Sequence, residues 1–295
     1  MLNKEQIDYL LIHAYNAAIR AGARIIDIYR GGDFTVDLKS DHTPITIADR
    51  DAHELIKKYL GKTRIPLLSE EGRDLLFEER RNWDLFWMVD PLDGTKEFIK
   101  GNGEFTVNIA LMYNNEPVIG IIYVPYINKM YFALKGQGSY LKSDVRPSHD
   151  AEYDIQQLWA ESQPLPLRSC ANKPIRIAIS RSHNTEETFE HIARLKREYP
   201  DAEMVEQGSS FKFCMLAEGS VEIYFRTSDT YEWDTAAGEV ILAEAGGATQ
   251  SFDGNVGLQY NKPSLLNPHF ICRSKFFKVS SINSIYPLVS DSRTL

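Results

Sequence analysis

An apolar stretch that runs directly into two closely spaced aspartates constrains this chain more than any other feature. Leu85–Val89 has the length and composition of a buried β-strand, and Asp90 and Asp93 follow it at once. Pro91 fixes its own φ, so we predict that the chain turns immediately after the strand and brings Asp93 back beside Asp90. The carbonyl of Leu92 can then point to the same side. The sequence therefore predicts a cluster of oxygen atoms at a rigid strand end.

Three further acidic residues lie at the ends of apolar elements. Asp49 begins a helical pattern, Glu70 follows a short apolar run, and Asp234 begins another helical pattern. Hard cations such as Mg²⁺ prefer oxygen ligands, and a few carboxylates suffice to hold them. Without a cation, convergent carboxylates would raise one another's pKa. We therefore predict a divalent metal site, in which Gly94 permits close backbone approach and Thr95 supplies a hydroxyl that orients water.

Each acidic segment also has an ordinary interpretation. Asp234 can cap the helix that it begins, Asp49 can lie on a helix surface, and Glu70 can be solvated. The four segments together favour the metal site. Other phosphate chemistries fit less well, because the chain has no Gly-x-x-x-x-Gly-Lys-Ser/Thr loop and no Gly-x-Ser-x-Gly elbow. Asp90 and Asp93 are separated by two residues, whereas aspartyl phosphatases of the haloacid dehalogenase type need a separation of one.

Hydrophobic periodicity predicts an α/β chain in two lobes. Residues 1–142 form an α+β lobe with most of the metal ligands, and residues 175–295 form an α/β lobe with Asp234 and the substrate-recognition residues. The polar residues 143–174 are interpreted as a connection or a surface insertion. A cleft between the lobes would hold the site. The predicted helices cover 3–30, 47–60, 185–198, 209–218 and 234–246, and the predicted strands cover 34–39, 65–68, 85–89, 105–113, 118–126, 130–134, 138–141, 175–179 and 221–225.

Composition narrows the classes of partner. A net charge of −8 argues against a general nucleic-acid-binding protein. No apolar window reaches the length of about 18 residues that a membrane span needs, and the N-terminus lacks the pattern of a signal peptide. Cys170, Cys214 and Cys272 are widely spaced, which favours reduced thiols and a cytoplasmic location. The sequence leaves open a monomer or a homodimer, and also a peripheral association with the inner membrane.

Three segments resemble the signature motifs of the inositol monophosphatase superfamily. They are 87–98, the Ser-Glu-Glu at 69–71 before it and 232–238 after it, in the order of that superfamily. The resemblance covers nearly the whole chain. It implies a layered α-β-α-β-α sandwich of the sugar-phosphatase type and a Mg²⁺-dependent, lithium-sensitive hydrolysis of phosphomonoesters. Residues 96–99 and 103–109 are most similar to the 3′(2′),5′-bisphosphate nucleotidases of the CysQ type.

The resemblance implies two Mg²⁺ ions and leaves a third as an alternative. The implied ligands are the carboxylates of Glu70, Asp90, Asp93 and Asp234 with the carbonyl of Leu92, Asp90 being shared by both ions. Asp49 would serve a third, looser ion or relay a proton with Thr95. The attacking water would be activated by metal together with Glu70 and Thr95.

The same resemblance implies the groups that bind substrate. They are Asp93, Gly94, Thr95, Ser180, His183, Gly208, Lys212 and Asp234. Each recognition residue keeps an alternative, since His183 can cap the helix 185–198, Lys212 can be a solvated helix residue, and Arg181 can either touch the nucleotide or lie on the rim. Trp87 and Trp233 are predicted to pack beside the ligands, and Glu71 is predicted to support Glu70.

The predicted reaction is hydrolysis of the 3′-phosphate of adenosine 3′,5′-bisphosphate to AMP and phosphate, with no nucleic-acid partner. Two alternatives stand beside it. One is an inositol monophosphatase or another sugar-phosphate phosphatase. The other, from a different class, is a non-catalytic, metal-dependent nucleotide sensor, against which the intact ligand set and Thr95 argue.

Overall fold

The computed structural model describes residues 2–32, 35–39, 44–252, 254 and 257–277. Its helices are α1 (Lys4–Gly31), α2 (Ile47–Leu60), α3 (Phe77–Arg80), α4 (Thr95–Ile99), α5 (Ile155–Ala160), α6 (Glu186–Glu198), α7 (Phe211–Glu218) and α8 (Glu232–Glu244). Its strands are β1 (Val36–Leu38), β2 (Pro44–Thr46), β3 (Leu67–Ser69), β4 (Leu85–Asp93), β5 (Thr106–Tyr113), β6 (Glu116–Val124), β7 (Lys129–Leu134), β8 (Gly138–Lys142), β9 (Gln163–Pro164), β10 (Arg176–Ser180), β11 (Glu203–Gln207), β12 (Ile223–Arg226), β13 (Ala248–Ser251) and β14 (Phe270–Arg273). Within these ranges, no helix combines the length with the apolar character that a membrane crossing requires.

The first two helices form as their sequences predict. Asn3 caps α1 through a reciprocal pair of hydrogen bonds with Gln6, and Gly32 ends the helix with a positive φ of 71°. Thr46 caps α2, whose bounds are those predicted. Small residues in the buried stripe of α1, such as Ala14 and Ala18, allow close packing against the sheet.

A seven-stranded sheet carries most of the candidate ligands. Its strand order is β3-β4-β5-β6-β7-β8-β9, and β3 is parallel to β4 while the other neighbours are antiparallel. The predicted antiparallel meander is therefore confirmed. Asp90 lies opposite Asn108, and Asp93 lies opposite Thr106, with a register irregularity between the two aspartates.

A five-stranded sheet forms the second β layer, in the order β11-β10-β12-β14-β13. β10 pairs in parallel with β11 and β12, whereas β14 runs antiparallel to β12 and β13. Strands β11, β13 and β14 were not predicted from the sequence. Their apolar runs are short, and polar residues such as Glu203, Thr249 and Arg273 interrupt the alternation expected of a strand.

The two sheets and the helices form five layers. One core packs α1 and α2 against Val89 and Ile109 of the first sheet. A second core places α7 and α8 between the two sheets, where Phe213 and Ile241 meet side chains of both. A third packs α6 on the outer face of the second sheet, at Ile223. The predicted α-β-α-β-α sandwich and the mixed α/β class are confirmed.

Three local predictions need correction or restriction. The chain does not turn at Pro91, because β4 continues to Asp93 and accommodates the proline at the register irregularity. Residues 143–174 are not a plain connection, since they contain α5 and the edge strand β9, and the Asn16 side chain binds the backbone of Tyr153. Of the predicted strand 34–39, the structure describes only 35–39.

We propose that the boundaries at 142 and 175 separate two lobes, because the seven-stranded sheet lies before residue 143 except for its edge strand β9, and the five-stranded sheet lies after residue 174. The C-terminal lobe in this division extends to residue 295, and its last residues, 278–295, lie outside the described part of the chain.

Candidate active site

Three carboxylates from three separate elements converge on one point. Glu70 follows β3, Asp90 lies in β4 and Asp234 lies in the first turn of α8. One ligand oxygen of each lies within 4.8 Å of the others. The parallel pairing of β3 with β4 accounts for the first contact, because the N–H of Glu70 donates to the carbonyl of Val89 at 3.1 Å. Residues that are up to 164 positions apart in the sequence thus form one site.

Asp93 lies beside this group and is held by hydrogen bonds from Ser210 and Asn108. Its Oδ2 accepts from the N–H of Ser210 at 2.5 Å and from the side-chain amide of Asn108 at 3.4 Å. The register irregularity in β4 places Asp93 and Asp90 on the same side of the chain, which a regular alternation would not do across two intervening residues. We call Glu70, Asp90, Asp93 and Asp234 the carboxylate cluster.

The electrostatics of the carboxylate cluster favour a cation. Burial raises the pKa of Asp90 well above its usual value, and the charges of Glu70, Asp93 and Asp234 raise it further. Burial likewise raises the pKa of Asp234, with Asp93 and Glu70 adding to the effect. Like charges that oppose one another's ionisation make a ready site for a divalent ion. Carboxylate oxygens are ligands that hard divalent cations such as Mg²⁺ prefer, so the residues fit this ion.

Asp49 and Thr95 form a pair beside the carboxylate cluster. The Thr95 hydroxyl donates to Asp49 Oδ1 at 3.0 Å and lies 3.3 Å from the carbonyl of Leu92. The other oxygen of Asp49 accepts from the N–H and the hydroxyl of Thr46 at 2.7 and 2.6 Å. Asp49 is 1% exposed, so its interpretation as a surface residue is wrong.

Lys39 contacts the candidate ligand Glu70, and the sequence did not predict this contact. Its Nζ lies 2.7 Å from Glu70 Oε1 and 2.5 Å from Glu71 Oε1, so one ammonium joins the two glutamates. The prediction that Glu71 supports Glu70 agrees with this shared contact. No local pattern marks Lys39, which lies 31 residues before Glu70 in a short polar stretch.

Cationic side chains line the same cleft as the carboxylate cluster. Lys212 is 4% exposed, and its Nζ donates to the carbonyls of Gln207 and Ser209 at 3.1 and 2.6 Å. Burial, together with the charge of Arg226, lowers the pKa of Lys212 to about 8, while Asp93 acts in the opposite direction. The interpretation of Lys212 as a solvated helix residue is therefore wrong.

His183 lines the cleft beside these cations. Burial, together with the charges of Arg226, Lys96 and Lys212, lowers its pKa to about 4, so the ring is neutral at pH 7. Its Nε2 lies 2.9 Å from the ammonium of Lys96 and accepts from it. Thr185 is the residue that caps α6, so the alternative that His183 is the cap is wrong. We call Lys96, Lys212 and Arg226 the cationic group, and the neutral ring of His183 lies among them.

Two glycines are required by close packing at the cleft. A Cβ at Gly208 would lie 2.6 Å from the side chain of Glu97 and 2.9 Å from the carbonyl of Glu104. Gly94 has a φ of +92°, and a Cβ there would also lie 2.9 Å from the Glu104 carbonyl. Ser180, at the end of β10, is buried and lines the same cleft.

The remaining predicted residues divide between the cleft and its surroundings. Arg181 binds both carboxylate oxygens of Glu104 at 2.7 Å and also pairs with Glu206, outside the lining of the cleft. Trp87 is fully buried in the core. Trp233 stacks against Tyr231, whose ring reaches the cleft.

The cleft encloses about 190 Å³ and brings together all the predicted metal and substrate residues except Asp49. Asp49 touches it through Thr95. Residues that line the cleft but were not among the predicted site residues include Lys96, Glu97, Arg226 and Tyr231. Lys96 and Glu97 lie within the segment 87–98, which resembles a signature motif of the superfamily. Arg226 ends a strand and has no local sequence signal of function.

Mg²⁺ is expected to raise the melting temperature of the chelator-treated protein, and by more at high pH. Folding raises the pKa values of the four carboxyl groups in the cluster, so these groups stabilise the folded state when they are protonated. That contribution to the free energy of unfolding is lost as the pH rises through the pKa values of the folded state. Glu71, with a pKa of about 7, extends the window to that pH. Mg²⁺ at a hundred times its Kd would add about 2.7 kcal/mol. Calorimetry with EDTA or Mg²⁺ at about pH 5 and about pH 8 measures the increase in melting temperature and its pH dependence. No increase with Mg²⁺ would contradict the metal site, and an equal increase at the two pH values would contradict the pH dependence.

Known proteins resemble the chain along nearly its whole length. The model of the inositol monophosphatase family matches residues 6–284. A curated relative from Buchnera aphidicola, named 3′(2′),5′-bisphosphate nucleotidase CysQ, is 40% identical over 83% of this chain and 84% of that protein. The solved structure of CysQ from Bacteroides thetaiotaomicron, a bacterial member of the family, is 44% identical with a TM-score of 0.84, covering 92% of this chain and 99% of that one. An IMPase of Thermotoga maritima, at 20% identity and a TM-score of 0.69 over 97% of this chain and 98% of that one, shares the fold.

Proposed function

Because this chain belongs to the inositol monophosphatase family, a family of metal-dependent phosphatases, we propose that it is a 3′(2′),5′-bisphosphate nucleotidase. Its reaction is the hydrolysis of the 3′-phosphate of adenosine 3′,5′-bisphosphate to AMP and phosphate. One observation carries the proposal. The carboxylate cluster and the cationic group line one and the same cleft.

Two phosphates on one ligand would use the carboxylate cluster and the cationic group in different ways. The scissile 3′-phosphate binds at the carboxylate cluster through Mg²⁺, and the 5′-phosphate binds at the cationic group. Lys212 and Arg226 are mutually repulsive, as the lowered pKa of Lys212 indicates, and an anion between them relieves this repulsion. Inositol monophosphates carry only one phosphate and would leave that charge uncompensated. The observation thus favours the nucleotidase over the inositol or sugar phosphatase.

We propose that two Mg²⁺ ions act in turnover and that their ligands are those predicted from the sequence. Bound Mg²⁺ lowers the pKa of the attacking water and neutralises charge on the phosphoryl oxygens. The residues Glu70, Asp90, Asp93 and Asp234 and the carbonyl of Leu92 supply the ligand oxygens. A third ion beside Asp49 remains an alternative for this site. Lithium would inhibit by displacing Mg²⁺, as the resemblance implies.

Thr95 and Asp49 are proposed to move the proton. The Thr95 hydroxyl already donates to Asp49, so its free lone pair accepts an O–H of the attacking water. As the water oxygen attacks phosphorus, its proton passes to Thr95 while the Thr95 proton passes to Asp49, and Glu70 assists as a second acceptor. The bond between phosphorus and O3′ breaks, and O3′ takes a proton from solvent. This intact relay argues against the sensor that binds without turnover.

The compartment proposed for this reaction is the cytoplasm. Cys170, Cys214 and Cys272 are all free thiols in the structure, with Cys170 exposed and the other two buried. Unpaired thiols are typical of a reducing compartment, where disulfides rarely persist.

Identification of the product tests the proposed reaction. With Mg²⁺, adenosine 3′,5′-bisphosphate is expected to yield one equivalent of phosphate and adenosine 5′-monophosphate, resolved from the 3′-isomer by ³¹P NMR. Tight binding of the substrate without phosphate release would favour the sensor instead. Release of the 5′-phosphate would mean that the carboxylate cluster and the cationic group have been assigned to the wrong phosphates.

A further inference from the structure

A continuous chain of buried polar groups connects Asp93 with the start of α7. Thr106 lies 2.8 Å from the hydroxyl of Ser210, which in turn donates to Asn108 Oδ1 at 2.7 Å. Asn108 Nδ2 and the N–H of Ser210 both donate to Asp93 Oδ2. The three supporting residues are between 0 and 4% exposed. We call Thr106, Asn108 and Ser210 the polar link.

The polar link fixes which oxygen of Asp93 faces the carboxylate cluster. Both donors from the polar link bind Oδ2, so Oδ1 is the oxygen left to face a cation. Asn108 and Thr106 can reach this position because they lie opposite Asp90 and Asp93 on β5, on either side of the register irregularity. Buried polar groups that satisfy one another favour a single arrangement, since any other leaves an unpaired group in the interior.

The same link determines where Lys212 lies. Ser210 immediately precedes α7, and Lys212 is the second residue of that helix. The ammonium of Lys212 folds back onto the carbonyls of Gln207 and Ser209, so it moves with the segment that Ser210 anchors. Ser209 has a φ of +52°, a conformation that non-glycine residues adopt only rarely. A movement of Ser210 would therefore displace both Asp93 and Lys212.

We propose that Ser210 and Asn108 are positioning residues that hold the metal ligand Asp93 and the phosphate-binding Lys212 at a fixed separation. This inference rests on the proposed function, since it assigns the second phosphate to Lys212. It adds that the preference for a bisphosphate depends on a link buried between the two phosphate positions. The polar link touches no reacting atom and acts through Asp93 and Lys212.

Ser210→Ala tests the link with the smallest change, because the N–H that binds Asp93 remains. We expect the Mg²⁺ Kd, measured by titration calorimetry without substrate, to rise about tenfold, as is usual for groups that orient metal ligands. Thr106→Val, an isosteric change at the far end of the link, should raise it about threefold. Ser139→Ala is the matched control, because Ser139 is also buried and its hydroxyl has no partner in the described part of the chain. An unchanged Kd in both link variants would overturn the inference, and Thr106→Val decides alone if Ser210→Ala does not fold.

Substrate preference tests the connection to Lys212. The ratio of kcat/KM for adenosine 3′,5′-bisphosphate to that for 3′-AMP isolates the contribution of the 5′-phosphate. Ser210→Ala should lower this ratio about threefold to tenfold, and should not lower it further when Lys212→Met is already present. An equal reduction in both backgrounds would show that Ser210 does not act through Lys212. A ratio near one in the unaltered protein would overturn the proposed function, and the Mg²⁺ titration would then still decide the link to Asp93.

Discussion

Asp93→Asn is expected to lower kcat for the bisphosphate nucleotide by about three orders of magnitude without unfolding the protein. A lost ligand to a catalytic metal removes several kcal/mol of transition-state stabilisation, and each 1.36 kcal/mol is a factor of about ten in rate. The amide of asparagine can still accept from Ser210, but its NH₂ group then points where the ligand oxygen of Asp93 stood. Steady-state kinetics with saturating Mg²⁺ measure the loss.

Stability separates this effect from a structural one. Asp93 raises the pKa of both Asp90 and Asp234, so the neutral amide relieves repulsion in the metal-free protein. We therefore expect the melting temperature in EDTA to stay the same or rise, while the increase produced by Mg²⁺ shrinks. Glu116→Gln is a suitable control, because Glu116 forms an exposed ion pair with Lys135 far from the cleft. Turnover like that of the unaltered protein would place the metal site elsewhere.

Lys212→Met is expected to lower kcat/KM for adenosine 3′,5′-bisphosphate by about two orders of magnitude, mainly through KM. Removing one partner of a buried charge contact costs about 2–5 kcal/mol, and 2.7 kcal/mol corresponds to about a hundredfold. The value for 3′-AMP should change much less, because that substrate has no 5′-phosphate. Comparing the two substrates removes any loss that comes from the contacts of Lys212 with the backbone of Gln207 and Ser209, which would affect both.

Lys142→Met provides the matched control for this change. The Lys142 side chain is 11% exposed and pairs with Glu161 at 2.9 Å, outside the cleft. It therefore loses a comparably covered ammonium without touching substrate. An equal loss for the two substrates in Lys212→Met would mean that Lys212 supports the fold of the cleft and does not bind the second phosphate.

The carboxylate cluster and Asp49 could be predicted from the sequence because each residue has a local signal. Asp90 and Asp93 follow the apolar run 85–89, and Glu70 follows another apolar run. Asp49 and Asp234 occupy the third position of a helix, where an acidic residue also completes a capping box. At Asp234 the capping interpretation and the functional one are compatible. Asp234 accepts from the N–H of Tyr231 and still joins the three-carboxylate group.

The groups that were missed depend on contacts between distant elements. Lys39 reaches Glu70 from a stretch next to a three-residue strand, and Arg226 ends a strand whose neighbours in the sheet are far away in sequence. Asn108 appears in the sequence as one polar residue within an apolar strand. Its role follows from the register of β5 against β4, which no local pattern defines.

The turn expected at Pro91 was wrong for a related reason. A proline fixes its own φ and removes one N–H donor, and both a turn and an irregular strand satisfy those conditions. Pairing with β5 continues to Asp93 and selects the strand. The functional expectation survives this correction, since the irregularity also brings Asp90 and Asp93 to one side.

The ratio of kcat/KM for adenosine 3′,5′-bisphosphate to that for inositol 1-phosphate, with Mg²⁺ and at one pH, tests the central claim most directly. A cleft lined by both a carboxylate cluster and a cationic group favours a ligand with two phosphates, so the account predicts a ratio of about a hundred or more. A ratio of one or below would contradict it and would assign the chain to the sugar-phosphate phosphatases of the same family.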